Sequence, residues 1–90
     1  MNYQSKVIKE YIECGHLVLN IIRLSVNGYP DLLCLKDGKA IFIECKTGGD
    51  TLKPLQKYRI DELNGQGFDA FCLKDGKVVY GVKNAITHEE

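Results

Sequence analysis

Apolar residues first recur at helical spacing and then gather in short runs typical of strands. Four of them, from Tyr3 to Cys14, lie three or four positions apart, so we predict an amphipathic helix that Gly15 ends as a C-cap. The next segment, from Leu17 to Ser25, is rich in Leu, Val and Ile and predicts a strand.

Two apolar stretches further along are each interrupted by an Asp-Gly pair, a strong signal for a two-residue hairpin turn. The first turn is Asp37-Gly38 and the second is Asp75-Gly76. The four strands are predicted to run from Asp31 to Lys36, Lys39 to Lys46, Phe68 to Lys74 and Lys77 to Val82. The sequence Cys-Leu-Lys-Asp-Gly-Lys occurs in both hairpins, which indicates the same turn chemistry used twice.

A second helix is predicted between the two hairpins. Pro54 suits its first turn, and the helix is predicted to close around Gly65 or Gly67. Leu55, Tyr58 and Leu63 are assigned to its apolar face. The resulting order, α-β-β-β-α-β-β, predicts a single α+β (mixed α/β) domain over residues 1–90, with helices covering a sheet.

The first hairpin places three charged residues on one patch of the predicted sheet. Counting back from its turn puts Leu32 opposite Ile43, and therefore Asp31 opposite Glu44. Lys46 lies two residues beyond Glu44 on the same strand, so both side chains point to the same face. We expect two carboxylates and one ammonium to meet there.

Burial makes this pairing of carboxylates unfavourable unless a cation joins them. The four residues after Asp31 are all apolar, which is typical of a strand buried on both faces. A carboxylate in such a layer is costly without a partner, and Glu44 opposite adds like-charge repulsion. A divalent cation removes the conflict, because carboxylates are the usual ligands of Mg²⁺. The alternative is an ordinary half-buried strand, on which Glu44 and Lys46 are surface residues.

Composition and charge fit one small soluble domain and exclude a strongly basic nucleic-acid binder. The 90 residues carry 12 basic and 12 acidic side chains, yet the segment from Lys46 to Arg59 has a local excess of positive charge. A chain of this length buries a thin core, which favours homodimerisation. We expect no signal peptide and no membrane helix. The polar tail from Asn84 is predicted to fray.

The four cysteines predict a reducing compartment rather than a zinc knuckle. Cys14, Cys34, Cys45 and Cys72 form no Cys-x-x-Cys pair and lie within apolar runs, where a free thiol behaves as a small apolar group. A cytoplasmic location is therefore expected.

The motifs and their order resemble the VRR-NUC (virus-type replication-repair nuclease) family of the PD-(D/E)xK nuclease superfamily. The matching segments are Gly-Tyr-Pro-Asp-Leu at 28–32, Glu-Cys-Lys at 44–46, Gly-Gly at 48–49 and Leu-Lys-Pro-Leu-Gln at 52–56. The resemblance covers nearly the whole chain. It implies a restriction-endonuclease-like α-β-β-β-α-β core with a central mixed sheet and flanking helices.

The resemblance also implies a role for each matching residue. Asp31, Glu44 and the backbone carbonyl of Cys45 would hold Mg²⁺ or Mn²⁺. Lys46 would orient or activate the attacking water and offset charge on the phosphate. Gln56 would lie at the edge of the site and help to place water or phosphate.

Four further residues are weaker candidates for the site. The family commonly has a Glu in the first helix where this chain has Gln4, which is predicted to face the sheet and brings no charge, so the number of metal ions stays open. Arg23, Lys53 and Lys57 are candidate contacts to DNA phosphates, and solvated surface cations are the alternative interpretation.

The implied function is a metal-dependent, structure-selective DNA endonuclease in the cytoplasm of a bacterium or a phage-infected cell. Stand-alone family members resemble symmetric dimers that cut branched DNA, including four-way (Holliday) junctions and flaps. The alternative is a non-catalytic DNA-binding or protein-interaction module on a nuclease scaffold. Gln4 and the zero net charge favour that alternative, whereas Asp31, Glu44 and Lys46 argue for the enzyme.

Overall fold

The computed structural model describes residues 2–82 and confirms the predicted order of two helices and five strands. These elements are α1 (Tyr3–Glu13), β1 (Leu17–Asn20), β2 (Leu32–Lys36), β3 (Lys39–Lys46), α2 (Pro54–Gly65), β4 (Asp69–Lys74) and β5 (Lys77–Val82). The strands form one mixed sheet in the order β1-β2-β3-β4-β5, in which β3 and β4 are parallel and the other neighbours antiparallel. The predicted α+β class is therefore confirmed, and the polar tail from Asn84 lies outside the described residues.

The hairpin turns fix the register as the sequence predicted. In the first hairpin Lys36 pairs with Lys39 and Leu32 pairs with Ile43. Asp37 has φ 53° and Gly38 has φ 77°, and two successive positive φ angles are the mark of a type I′ turn, whose twist matches that of the flanking strands.

The predicted strand from Leu17 to Ser25 is wrong in its second half, because β1 ends at Asn20. Strand pairing requires a neighbour, and β2 begins only at Leu32, the partner of Asn20. One further backbone hydrogen bond joins Ile21 N–H to Asp31 O at 2.7 Å, and the chain then leaves the sheet as a loop. The apolar composition of this segment therefore does not show where β1 ends.

The predicted apolar face of α2 is wrong for Leu55 and Tyr58 but right for Leu63. Leu55 and Tyr58 are 43% and 59% exposed, whereas Ile60 is fully buried with Leu63 packed beside it. Ile60 lies where α2 crosses β4 and β5, so tertiary packing rather than the count of apolar residues selects the buried face. Leu55 instead lies against Gly28, in the turn before Asp31.

The core lies in two layers, one on each face of the sheet. On the α1 side, Val7 packs against a fully buried set from three strands: Leu32, Cys34, Ile43 and Phe71. On the α2 side, the smaller cluster consists of Ile60, Ala70 and Cys72. Because successive residues of a strand point to opposite faces, Ile43 joins the α1 layer and Glu44 faces the α2 side.

The α2 side of the sheet is covered unevenly. Helix α2 packs mainly on β4 and β5, and within residues 2–82 neither helix packs extensively on this face of β1 and β2. Leu17 and Leu19 are 59% and 43% exposed, and Leu33 and Leu35 are half-buried. The prediction that the four residues after Asp31 are buried on both faces is therefore wrong for Leu33 and Leu35.

We expect Gly81→Ala to destabilise the protein more than Gly38→Ala. Both glycines have positive φ, 93° and 77°, so each substitution costs about 1 kcal/mol or more of backbone strain. A Cβ at Gly81 would also collide with Ala70 O and lie 2.7 Å from Phe71 Cα, whereas no atom of the described residues lies within 4 Å of one at Gly38. Urea unfolding should show a loss at least about 2 kcal/mol larger for Gly81→Ala, and equal losses would contradict this packing of β4 against β5.

Candidate active site

Two carboxylates meet on the α2 face of the sheet, at the end of the first hairpin. Glu44 lies on β3 and is only 4% exposed, which makes it the one buried charged residue in the described part of the chain. Asp31 precedes β2 and lies just outside the strand ladder rather than within it, a one-residue correction to the predicted strand. Its carboxylate is still close enough to raise the pKa of Glu44.

The environment raises the pKa of Glu44 from 4.5 to about 7. Removal from water is the largest cause, and the negative charge of Asp31 is the next. Lys46 acts in the opposite direction and offsets only part of the increase in pKa. Below about pH 7 the folded chain therefore holds a proton on Glu44, despite the nearby ammonium group of Lys46.

Lys46 and Gln56 approach the same oxygen of Glu44 from two different elements. Lys46 Nζ lies 3.6 Å from Glu44 Oε2, and Gln56 Nε2 donates to that oxygen at 3.4 Å. Gln56 belongs to the first turn of α2, where its Oε1 accepts a hydrogen bond from Lys53 N–H at 2.9 Å. Since one end of the amide caps the helix, the other end is directed at Glu44. The structure thus brings together Asp31, Glu44, Lys46 and Gln56.

The turn before Asp31 is held by α2, a contact that the sequence did not reveal. Arg59 Nε donates to Asn27 O at 3.0 Å, and its guanidinium lies 4.7 Å from the centre of the Tyr29 ring. The Tyr29 hydroxyl donates to Glu62 Oε1 at 2.6 Å, and Arg59 Nη1 donates to the same oxygen at 3.3 Å. The i,i+3 spacing of Arg59 and Glu62 predicts an ion pair within the helix, but it gives no sign of a contact with a turn 30 residues earlier. Helix α2 therefore supports both Gln56 and the backbone that carries Asp31.

Cys45 lies between the two charged residues of β3 but turns its thiol to the other face. That thiol packs beside the α1 core, where burial raises its pKa to about 12. The thiol is therefore a protonated core group, and the predicted ligand is the backbone carbonyl. Within residues 2–82, no three His, Cys, Asp or Glu side chains converge as a metal site, so further donors would have to be backbone, amide or water oxygens.

Gln4 is half-buried on α1, and its amide is already engaged. Its Nε2 donates to Asn20 Oδ1 at 2.8 Å. Within the described chain, no hydrogen bond links Gln4 to Asp31 or Glu44. Its part in the site stays a prediction.

The three candidate DNA contacts occupy two different surfaces. Arg23 is exposed and lines an open groove of about 360 Å³ that the loop over residues 21–29 forms beside Asp31. Lys53 and Lys57 are exposed at the start of α2, and Lys57 Nζ lies 5.7 Å from the centre of the Tyr80 ring. Their contacts with DNA stay predictions.

Comparison with known proteins agrees with this arrangement. A family model described as the VRR-NUC domain matches residues 4–74. A solved structure described as a VRR_NUC domain is 25% identical, over 79% of this chain and 78% of that one, with a TM-score of 0.70.

A second structure is similar in fold. It is Hjc from Archaeoglobus fulgidus, described as a Holliday junction resolvase from an archaeal hyperthermophile, and it is 15% identical with a TM-score of 0.62. The match covers 80% of this chain but only 64% of Hjc, less than two thirds of that protein. No curated protein sequence matches the chain at a significant level. No helix in the described residues is long and apolar enough to cross a membrane.

We expect the metal-free protein to lose stability as the pH rises from about 4.5 to about 7, relative to Glu44→Gln. The folded chain holds the Glu44 proton up to a pKa of about 7, whereas the unfolded chain releases it near 4.5. The stabilising contribution is therefore complete below the lower value and lost above the higher one. Urea unfolding in EDTA should show a relative loss of about 1–3 kcal/mol between pH 4.5 and pH 8. If the unfolding free energies of the two proteins change with pH in parallel, the prediction of a raised pKa for Glu44 is wrong.

Proposed function

Because the chain belongs to the VRR-NUC family, whose model matches residues 4–74, we propose that it is a metal-dependent DNA endonuclease. The reaction is hydrolysis of phosphodiester bonds at the site around Asp31 and Glu44. Family membership supports a nuclease, and the proposal adds the metal, the reaction and the residues.

The observation that carries the proposal is the buried pair of carboxylates. Asp31 and Glu44 repel each other where Glu44 has almost no contact with water, and Lys46 balances only one of the two charges. Hard oxygen donors of this kind fit Mg²⁺ or Mn²⁺, and a divalent cation would allow both groups to ionise. When bound, such a cation supplies Lewis-acid stabilisation of the charge that develops on the phosphate.

The chain's own residues have separate tasks in this proposal. Lys46 brings an ammonium group, 15% exposed, beside Glu44, where it would attract the phosphate and orient water. Gln56 holds Glu44 Oε2 through its Nε2 and keeps that carboxylate in one orientation. Asp31 contributes the second carboxylate from the turn that Arg59 holds in place.

We further propose that the substrate is branched DNA, such as a four-way junction or a flap, and that the enzyme acts as a homodimer. The fold shared with a protein described as a Holliday junction resolvase supports the substrate class. Two identical sites related by a two-fold axis suit a substrate with two equivalent strands to cut.

The half of this face that the described helices leave uncovered supports the dimer. Leu17 and Leu19 are exposed beside the half-buried Leu33 and Leu35, which together form an apolar surface on the edge of the sheet. A second copy placed there would cover this surface and extend a thin core.

Cleavage of labelled DNA tests the catalytic proposal. Wild type is expected to cut a four-way junction or a flap in Mg²⁺ or Mn²⁺ and to leave it intact in EDTA. Glu44→Gln and Lys46→Ala should each lower the rate by at least roughly 100-fold, because each removes a charged group at the reacting phosphate. Glu10→Gln, which alters an exposed carboxylate on α1, is the matched control and should cut normally.

Two outcomes would contradict the proposal. Full activity of both Glu44→Gln and Lys46→Ala would show that the site lies elsewhere. Binding of DNA by wild type without cutting in any metal would favour the non-catalytic DNA-binding module.

Light scattering after size exclusion tests the dimer. Wild type should have twice the mass of the chain, and Leu19→Lys should be monomeric because it places a charge in the apolar contact. Ile12→Lys, at a residue 53% exposed on α1, should remain dimeric. A monomeric wild type, or a dimeric Leu19→Lys, would exclude this interface.

A further inference from the structure

Three lysines lie side by side across three neighbouring strands on the face of the carboxylates. The parallel register of β3 and β4 pairs Lys46 with Lys74, and the second hairpin pairs Lys74 with Lys77. Directly paired residues point to the same face of a sheet, which here is the face of Glu44. We call Lys46, Lys74 and Lys77 the lysine row.

The lysine row is electrostatically unfavourable in the protein alone. Like charges directly opposite each other on neighbouring strands destabilise a sheet. Lys46 has Glu44 as a partner, but among residues 2–82 neither Lys74 nor Lys77 forms an ion pair. The intervening Asp75 turns its carboxylate to Gly48, whose N–H donates to Asp75 Oδ2 at 3.3 Å.

Two observations place the inner part of the row close to the site. Lys74 is half-buried, and its Nζ donates to the backbone carbonyl of Asp50 at 2.8 Å, in the loop between β3 and α2. In the parallel register Glu44 pairs with Cys72, which lies two residues before Lys74 on the same strand, so these three residues lie on one face of the sheet.

The first hairpin shows that the repeated sequence does not by itself create this surface. It contains the same Lys-Asp-Gly-Lys turn, and Lys36 pairs with Lys39 there. That pair is two residues along the strands from Cys34 and Ile41, which belong to the α1 side, so it lies on the opposite face. Lys36 Nζ donates to Cys14 O at 2.6 Å, a contact within the fold. Only the second copy of the turn extends a line of charge from the site.

We propose that the lysine row binds successive phosphates of a DNA strand that runs from the carboxylate site toward the β5 edge. This rests on the proposed function, since it adds a path for the substrate to that same site. A line of ammonium groups matches a line of phosphates without reading bases, because each lysine acts as a point charge on the backbone. Lys77, which is exposed at the far end, extends the contact beyond the reacting phosphate.

Fluorescence anisotropy with a labelled four-way junction in EDTA tests the row without any cleavage. Lys77→Gln and Lys74→Gln should each weaken binding by about threefold at 200 mM salt and lower the slope of log K against log salt by about 0.7–0.9. Lys39→Gln is the matched control. Lys39 has the position in the first hairpin that Lys77 has in the second, but it lies on the opposite face of the sheet, so this variant should bind DNA as wild type does. Thermal unfolding of each variant monitors the fold.

Lys77→Gln is the decisive variant. Lys74→Gln also removes the hydrogen bond from Lys74 to Asp50 O and so alters the loop between β3 and α2. If Lys77→Gln binds as tightly and with the same salt slope as Lys39→Gln, the proposal is wrong, even if wild type cuts DNA. If wild type binds DNA but does not cut it, the proposed nuclease activity is wrong. The lysine row is then still tested by the affinities of Lys77→Gln and Lys39→Gln for DNA. A wild type with no affinity for DNA would overturn the row as well.

Discussion

The repulsion between Asp31 and Glu44 is the interaction on which the account of this protein depends. The two groups meet where Glu44 is 4% exposed, and the pKa of Glu44 rises to about 7 through loss of water and the charge of its neighbour. A fold that needed only stability would gain from an apolar residue at either position. A cation bound between the two carboxylates would offset this repulsion, which explains why the chain has a carboxylate at both positions.

The rest of the molecule holds these groups together. The type I′ turn at Asp37 and Gly38 sets the register that brings the ends of β2 and β3 into line. Helix α2 crosses from β3 to β4 and supports the site twice, through Gln56 at its first turn and through Arg59 against the turn before Asp31. The parallel pairing of β3 and β4 then aligns Lys46 with Lys74. One helix and one crossover thus connect the carboxylates to the surface proposed to bind DNA.

Local turn chemistry made much of this arrangement predictable from the sequence. The Asp-Gly turns determine register without reference to the rest of the fold, so Leu32 and Ile43 were paired correctly and Asp31 was placed beside Glu44. What failed depended on tertiary neighbours. The end of β1 at Asn20 is set by where β2 begins, and the exposure of Tyr58 is set by where α2 lies on the sheet.

Long-range contacts were beyond the sequence for the same reason. The hydrogen bond from Arg59 to Asn27 joins residues 32 positions apart, and the alignment of Lys46 with Lys74 depends on a parallel crossover rather than a turn. Neither has a local signature. The roles of Gln4, Arg23, Lys53 and Lys57 stay predictions.

The most direct test of the central claim is the change in unfolding free energy that Mn²⁺ causes at pH 8 in wild type and in Asp31→Asn. If the carboxylates form a cation site, Mn²⁺ should stabilise wild type increasingly as its concentration rises, by about 2.7 kcal/mol at 100 times its dissociation constant. Asp31→Asn should be more stable than wild type in EDTA, since it removes the repulsion, and should respond little to Mn²⁺. Equal stabilisation of both proteins by Mn²⁺, or a destabilised Asp31→Asn in EDTA, would contradict the claim.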